Sequence, residues 1–258
     1  MSWPRVVPRR AIPILTYHQI AVAPPRGAAF RGLYVAPDAF ARQMGLLRRL
    51  GYQGLSMSGL MPYLRGERTG RVVGITFDDG YLNNLTHALP VLQRVGYSAT
   101  CYMVSDRAGG TNDWDEPLGV AQVPLMDRGA LRAWVAGGLE IGAHTRSHAR
   151  LPDLPTEQAR REIRGSRDDL EALVDAPVRH FCYPYGEYTS DHANLVAAAG
   201  FDTATTTERG RVCGGDSLLA LPRVPVLRST SLPLLWIKLI SAYEDRRRSP
   251  ASQNHART

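Results

Sequence analysis

The chain has 258 residues, 44% of them hydrophobic and 21% charged, a composition that favours one globular domain with a substantial core over a disordered or fibrous protein. Its formal net charge of +7 comes almost entirely from arginine, but the basic residues form no stripe interleaved with aromatic residues, so no nucleic-acid partner is predicted. Cys101, Cys182 and Cys213 lack the spacing of a zinc knuckle and the density of a disulfide scaffold, and we expect buried, reduced thiols.

Seven short apolar runs are typical of buried strands, and amphipathic stretches with helical spacing separate them. The alternation of strand and helix predicts an α/β protein with a parallel sheet, and about seven strands favour an irregular barrel over an open sheet. In such a barrel, reactive residues gather on the loops that follow the carboxyl ends of the strands. In chain order the runs are IPILTY, RVVGITF, YSATCYMV, LEIGAH, HFCYP, FDTATT and LPRVPVL.

Two of the predicted helices have a clear apolar face. They cover residues 37–52 and residues 156–174, and Thr156 is the expected N-cap of the second. The residues expected to face the core are Phe40, Met44, Leu47 and Leu50 in the first helix and Ile163, Leu170 and Leu173 in the second.

The ends of the chain carry no predicted membrane-spanning segment. Residues 1–10 form an N-terminal extension without an apolar run of signal-peptide length, which favours a cytoplasmic location at the inner membrane face; a start codon placed too far downstream would hide an export signal. The segment LPLLWIKLI (232–240) is too short to span a bilayer, and predicts a packed or interfacial helix that would allow peripheral membrane contact. We expect one domain over residues 11–243 and a disordered basic tail over 244–258.

Two adjacent carboxylates, Asp78 and Asp79, directly follow the strand RVVGITF, and Gly80 permits a sharp turn behind them. Because like charges repel, one explanation is a divalent cation bound by one carboxylate, which would keep its partner ionised and able to act as a base. The alternative is that the pair caps a helix that begins near Tyr81. This motif alone does not decide between the two interpretations.

A pair of histidines follows the strand LEIGAH. His144 and His148 are four residues apart, so a helical turn would bring both imidazoles to one side, and Thr145 could form a hydrogen bond within that turn. Two imidazoles and one carboxylate would leave coordination positions open for water and substrate, as catalytic metal sites do. An HxxxH pair alone is often a surface accident, but its place directly after a strand favours a metal site.

Three motifs in register give the chain a resemblance to a known family. TFDDG (76–80), HTRSH (144–148) and YPYG (183–186) resemble, in this order, the motifs of the polysaccharide deacetylases, carbohydrate esterases that share the NodB-homology domain. The likeness spans most of the chain between residues 12 and 226. It implies a distorted (β/α)7-type barrel as a single domain, one bound divalent metal, usually zinc with cobalt or nickel as alternatives, and hydrolysis of an N-acetyl group on a sugar.

The resemblance also implies roles for individual residues. Asp78 resembles the general base, and the backbone N–H of Tyr185 resembles the donor that stabilises the oxyanion. Tyr183 would flank the sugar beside Tyr185. The implied metal ligands are Asp79, His144 and His148.

Two positions depart from the family's pattern. Cys182 stands where many members have an arginine that orients the catalytic aspartate; Arg223 is a candidate replacement, and the alternative is a surface arginine. The C-terminal region lacks the histidine that usually supplies the general acid, since His255 lies in the tail. His18, in ILTYHQI, resembles the acid of a subgroup with circularly permuted motifs, the poly-N-acetylglucosamine deacetylases of biofilm formation; the alternative is a core histidine. The other histidines outside the motifs, expected to be structural or surface residues, are His87, His180 and His192.

The substrate side is less defined by the sequence. Trp114, in GGTNDWDEP, offers a stacking face for a sugar ring, and Tyr183 and Arg223 are further candidates. The sequence therefore predicts a metal-dependent N-deacetylase of an acetylated glycan, for example an exopolysaccharide, or of a lipid- or nucleotide-linked sugar precursor. Two alternatives stay open: removal of an O-acetyl or formyl group by the same residues, and a catalytically inactive glycan-binding module on the same fold.

Overall fold

The computed structural model of the protein describes residues 11–248, and its centre is a barrel of parallel strands surrounded by helices. The strands are β1 Ile14–Tyr17, β2 Gln19–Ile20, β3 Tyr34–Val35, β4 Gln53–Leu55, β5 Val72–Phe77, β6 Thr100–Met103, β7 Glu140–Ala143, β8 His180–Cys182, β9 Thr203–Arg209 and β10 Leu221–Pro225. The helices are α1 Pro37–Arg49, α2 Met57–Leu64, α3 Leu89–Val95, α4 Arg128–Ala136, α5 Thr156–Val174, α6 Ser190–Ala198 and α7 Leu232–Ile240.

Seven parallel strands close the barrel in the order β1-β10-β9-β8-β7-β6-β5, and β5 pairs back to β1 along residues 74–77. The barrel is distorted at β5, because β4 pairs with residues 72–74 of this strand whereas β6 pairs with residues 76–77 on the same edge. Strands β2 and β3 form a separate parallel pair. The expected distorted (β/α)7 barrel in a single domain is confirmed, and the seven predicted apolar runs supply its seven strands.

The helices cover the barrel with the faces that the sequence predicts. Phe40 of α1 packs with Tyr17, Phe77 and Trp134 in an aromatic cluster whose neighbouring ring centroids lie 5.2 to 5.8 Å apart. Also buried are Met44, Leu47, Ile163 and Leu170, whereas Leu50 and Leu173 are partly exposed.

Helix α5 differs from the prediction at its first residue. Thr156 is not the N-cap, because the helix begins at Thr156 itself and Pro155 occupies the cap position. The proline ring fixes φ, here −57°, and with ψ at 147° Pro155 takes the non-helical cap conformation that the threonine was expected to adopt. Like several residues in this helix, Thr156 is exposed on the solvent side.

A polar cluster closes the end of the barrel where the strands begin, opposite the motifs TFDDG, HTRSH and YPYG. Glu140 accepts a hydrogen bond from Thr100 Oγ1 at 2.6 Å and another from Ser58. His180 is fully buried, with Nε2 2.9 Å from Ser58 Oγ and Nδ1 2.8 Å from Thr203 Oγ1. These contacts satisfy the polar groups at the amino ends of four strands, and His180 is structural, as expected. His192 closes a capping box at α6, and exposed His87 lies near Ile20 O.

The C-terminal boundary lies further along the chain than the sequence predicts. Glu244 is buried, and its carboxylate pairs with Arg209 at 2.6 Å and with Lys238 at 2.7 Å. Residues 244–248, expected to begin a disordered tail, therefore pack on the barrel because they contain the partner that two basic side chains need. The rest of that segment, 249–258, and the expected N-terminal extension, 1–10, lie outside the described residues.

Two further expectations concern the cysteines and the membrane. Cys101 and Cys182 are buried free thiols, as predicted, but Cys213 is exposed because it lies in the loop between β9 and β10 rather than in a strand. Within residues 11–248, no helix is long and apolar enough to cross a bilayer.

Candidate active site

The carboxyl end of β5 turns sharply and sends the two adjacent carboxylates to different partners. Asp78 and Asp79 are both buried, and Asp79 has φ 73°, in the left-handed region. A Cβ at Gly80, which has φ 80°, would overlap the sulfur of Met103, so glycine is required at this turn. The pair does not cap the next helix, because the backbone N–H of Leu82 donates instead to Pro124 O at 3.0 Å.

Arg223 of β10 binds the first of these carboxylates. Its Nη1 donates to Asp78 Oδ1 at 2.6 Å and its Nη2 to Asp78 Oδ2 at 2.7 Å, a bidentate pair that is almost wholly buried. The guanidinium also donates from Nε to Thr206 O at 2.8 Å and contacts Cys182 Sγ at 3.3 Å. Arg223 therefore holds Asp78 in place, and it also lines the cavity, so its predicted place on the substrate side stays a prediction.

The ion pair sets the charge state of Asp78. Burial by itself would raise the pKa of this carboxyl, but the Arg223 guanidinium, helped by His18 and His144, outweighs burial and lowers the pKa below its ordinary value. Asp78 is therefore a fixed carboxylate, 3.9 Å from His18 Nε2.

The second carboxylate lies between the two histidines of the HxxxH motif. Asp79 Oδ1 is 3.5 Å from Nε2 of His144 and 3.5 Å from Nε2 of His148. The other ring nitrogens are engaged elsewhere, since His144 Nδ1 lies 2.7 Å from Cys182 O and His148 Nδ1 lies 3.2 Å from Tyr185 Oη. These outer contacts leave both Nε2 atoms facing Asp79.

This donor set fits a divalent transition metal. Within residues 11–248, Asp79, His144 and His148 form a buried group whose donor atoms all lie within 4.8 Å of one another. A tetrahedral zinc site with arms of about 2.1 Å has edges of roughly 3.4 Å, close to the two separations at Asp79. Two imidazoles and a carboxylate suit zinc, cobalt or nickel, and they leave a coordination position for water or substrate.

The protonation of the two histidines differs. Burial, together with the nearby His144, lowers the pKa of His148 to about 3, which keeps its imidazole neutral. Burial also acts to lower the pKa of His144, but Cys182 and Asp79 outweigh it and raise that pKa. A proton on Nε2 of His144 would take the position that a cation needs, so metal binding and protonation compete at this site.

The histidines are not joined by the helical turn that the spacing suggested. Residues 144–148 form an irregular loop in which Thr145 and His148 both have φ 61°, in the left-handed region. Glu162 of α5 holds this loop by accepting hydrogen bonds from the backbone N–H groups of Arg146 and Ser147, at 2.9 and 3.0 Å. The Thr145 hydroxyl donates to His144 O at 2.6 Å and does not reach His148.

The two carboxylates and both metal-site histidines open into one cavity of about 330 Å³. His18 follows β1 at its edge, with its side chain 24% exposed, so it can reach both the cavity and solvent. Trp114 stacks on His148 with ring centroids 4.6 Å apart. Apolar residues complete the other wall, namely Phe30, Leu33, Pro225 and Leu227.

The YPYG motif forms a strained turn at the cavity wall. Tyr185 has φ 59° within the short helical segment Pro184–Gly186, and among residues 11–248 its backbone N–H makes no hydrogen bond. Tyr183 is fully buried, and its hydroxyl donates to Leu219 O at 3.0 Å. Tyr183 therefore supports the wall, whereas Tyr185 presents its phenol ring and a free backbone donor.

Sequence reasoning missed Asp115, which lines the cavity and is only 6% exposed. Burial and the neighbouring charge of Asp79 raise the pKa of Asp115 to about 6. The segment GGTNDWDEP contains three acidic residues, and its sequence does not indicate which of them faces the cavity.

Comparisons with known proteins agree with this geometry. The sequence profile of the polysaccharide deacetylase family matches residues 65–204. YxkH of Bacillus subtilis, a protein that carries a polysaccharide deacetylase name, is 27% identical over 227 residues, which cover 87% of this chain and 75% of YxkH.

Two further matches extend over most of the chain. The poly-β-1,6-N-acetyl-D-glucosamine N-deacetylase of Escherichia coli K12 is 26% identical across 83% of this chain, but the match spans only 37% of that longer protein. The solved structure of the deacetylase PplD from Streptococcus pyogenes, in complex with acetate, superposes with a TM-score of 0.78 at 25% identity and covers 90% of this chain and 99% of its own.

The buried ion pair makes a prediction about stability. Arg223→Met would leave the Asp78 carboxylate buried without its partner, so we expect the free energy of unfolding to fall by about 3–5 kcal/mol in urea titrations. Asp78→Asn combined with Arg223→Met should cost clearly less than the sum of the two single changes. Arg164→Met, which breaks the exposed pair with Asp168, is the control and should cost under about 1 kcal/mol. Additive losses at 78 and 223 would contradict the coupling.

The two carboxylates should differ in metal binding. Asp79→Asn removes a ligand atom, and we expect zinc affinity, measured by competition with a chromophoric chelator, to fall by roughly a hundredfold or more. Asp78→Asn makes the same chemical change one residue earlier and should alter zinc affinity only a few-fold. Equal losses in both variants, or zinc retained by a His144→Ala, His148→Ala double variant, would contradict the assigned ligand set.

Proposed function

The chain belongs to the polysaccharide deacetylase family, and we propose that it removes N-acetyl groups from an acetamido sugar, in a polymer or in a lipid- or nucleotide-linked precursor, by metal-dependent hydrolysis. The observation that carries this proposal is the arrangement around one cavity of a fixed carboxylate, Asp78, beside a group of metal-type donors. Hydrolysis of an unactivated amide requires activation of the attacking water, which a general base next to a metal site can provide.

The residues that would hold the metal are Asp79, His144 and His148, with zinc as the proposed ion and cobalt or nickel as alternatives. A divalent cation supplies Lewis acidity, which polarises an acetyl carbonyl and lowers the pKa of a nearby water. In this proposal Asp78 accepts the proton of the attacking water. Arg223 keeps the Asp78 carboxylate ionised and fixed in direction until that transfer.

Charge that develops on the acetyl oxygen needs a donor already in place. The backbone N–H of Tyr185 is proposed as that donor, because the left-handed turn frees it from other hydrogen bonds among the described residues. Trp114 would pack against a face of the sugar ring while it also holds the His148 ring by stacking.

His18 is proposed as the general acid that protonates the departing amine. It reaches the cavity from the end of β1, the strand that closes the barrel between β10 and β5. A histidine with partial solvent access can regain its proton from water after each turnover, which a buried histidine cannot do as readily.

A panel of acetylated substrates would test the proposed activity. The zinc-loaded protein is incubated with acetylated glucosamine oligomers, peptidoglycan fragments, and lipid- or nucleotide-linked acetamido sugars, and mass spectrometry follows the loss of acetyl groups. We expect acetyl loss with at least one class, abolished by Asp78→Asn. Loss of only O-acetyl or formyl groups would favour the alternative deacylase, and binding without any acyl loss would favour an inactive glycan-binding module.

The role of His18 gives a sharper prediction. His18→Ala should lower kcat for an acetamide substrate by roughly a hundredfold or more, because the amine leaves poorly without protonation. An activated acetyl ester releases a weakly basic phenolate, so the same variant should keep most of its ester turnover.

The control for this experiment is His87→Ala, which removes an exposed imidazole outside the cavity and should leave both activities unchanged. Thermal unfolding and zinc content are measured for every variant. Equal loss of amide and ester turnover in folded His18→Ala would mean that His18 is not the acid.

A further inference from the structure

Helix α7 leaves a row of large apolar side chains on the outside of the protein. Trp236 is 44% exposed, Ile237 38% and Ile240 44%, and Pro233 is exposed on the same row. The spacing of these four residues, i, i+3, i+4 and i+7, places them on one face of the helix. The opposite face packs on the protein through the buried residues Leu235 and Leu239.

The segment that leads into α7 lies at the cavity. Arg228, just before α7, donates its backbone N–H to Gly32 O at 2.8 Å, which joins this region to segment 21–33. Phe30 of that segment lines the cavity and is 44% exposed in the strained left-handed conformation, with φ 52°. Leu227, the neighbour of Arg228, also lines the cavity. The cavity mouth therefore lies close to the residues that lead into α7.

Exposed arginines precede and follow α7 in the chain, and the two acids that follow this helix are paired. The acids of residues 226–248 are both engaged: Glu244 is buried against Arg209 and Lys238, and Asp245 pairs with Arg211 at 2.7 Å. Segment 21–33 contains no acidic residue. The exposed cations here are Arg26, Arg228, Arg246 and Arg247.

We propose that this apolar-basic face, formed by Trp236, Ile237 and Ile240 of α7 with Arg228, Arg246 and Arg247 beside it, docks on the surface of an anionic lipid bilayer. Tryptophan and isoleucine on one side of a helix, with arginines at its edges, match the chemistry of the region between headgroups and acyl chains. The arginines would lie beside lipid phosphates, where each cation adds to the affinity.

A second copy of the chain fits this face less well. In a two-fold dimer the same patch meets itself, so the exposed arginines of one copy would oppose those of the other. The cavity mouth would open beside the bilayer, and, if the proposed function holds, an acetamido sugar carried on a lipid would be within reach. Docking itself does not depend on that function.

Vesicle sedimentation with the full-length protein tests the docking. We expect the protein to sediment with phosphatidylcholine vesicles that contain phosphatidylglycerol, and to bind far less to pure phosphatidylcholine or at high salt. A Trp236→Ser, Ile240→Ser double variant should lose at least tenfold in affinity. Arg246→Gln should lose about fivefold on anionic vesicles.

Matched control variants distinguish binding through this face from non-specific adsorption to vesicles. Leu118→Ser removes an apolar side chain that is 57% exposed elsewhere, and Arg94→Gln removes an exposed cation on α3; both should bind as the unchanged protein does. No binding to anionic vesicles would overturn the proposal, as would equal losses in the controls. A dimer in light scattering that the double variant dissociates would assign the face to a second copy and overturn it too. If the protein binds anionic vesicles but removes no acetyl group from any substrate, only the proposed function is contradicted.

Discussion

The burial of two adjacent carboxylates at the end of β5 is the constraint on which the rest of the site depends. A buried ionised group is strongly destabilising unless it is paired and hydrogen-bonded. The turn at Gly80 directs Asp78 to the guanidinium of Arg223, at 2.6 and 2.7 Å, and Asp79 to two imidazoles at 3.5 Å. The different partners give neighbouring residues different environments, which suit the proposed roles of Asp78 as base and Asp79 as metal ligand.

The way in which the barrel closes supplies the partner of Asp78. β10 lies between β9 and β1, and β1 pairs with β5, so Arg223 enters the interior within reach of the end of β5. The sulfur of Cys182 contacts this guanidinium at 3.3 Å. An arginine at position 182 would compete for the same carboxylate and the same space that Arg223 occupies.

Backbone strain is concentrated around the cavity. Of the six non-glycine residues with positive φ among residues 11–248, five lie in the motifs or the lining of the cavity, and they are Phe30, Asp79, Thr145, His148 and Tyr185. A left-handed conformation costs a non-glycine residue about 1–2 kcal/mol. The surrounding contacts offset this cost, for example through the Glu162 carboxylate that binds the loop of residues 144–148. Asp79, His148 and Tyr185 line the cavity, whereas the buried Thr145 hydroxyl donates to His144 O within the loop.

The sequence by itself determined the seven barrel strands and the residue types after β5, β7 and β8, because apolar runs and motif spacing are properties of short segments. It could not determine the loop path between His144 and His148, since four-residue spacing suits a helical turn and an irregular loop equally well. Nor could it select Asp115 from a loop with several acids, or establish that Arg223 meets Asp78, 145 residues away. Those contacts depend on which strands become neighbours when the barrel closes, and only the tertiary structure decides that.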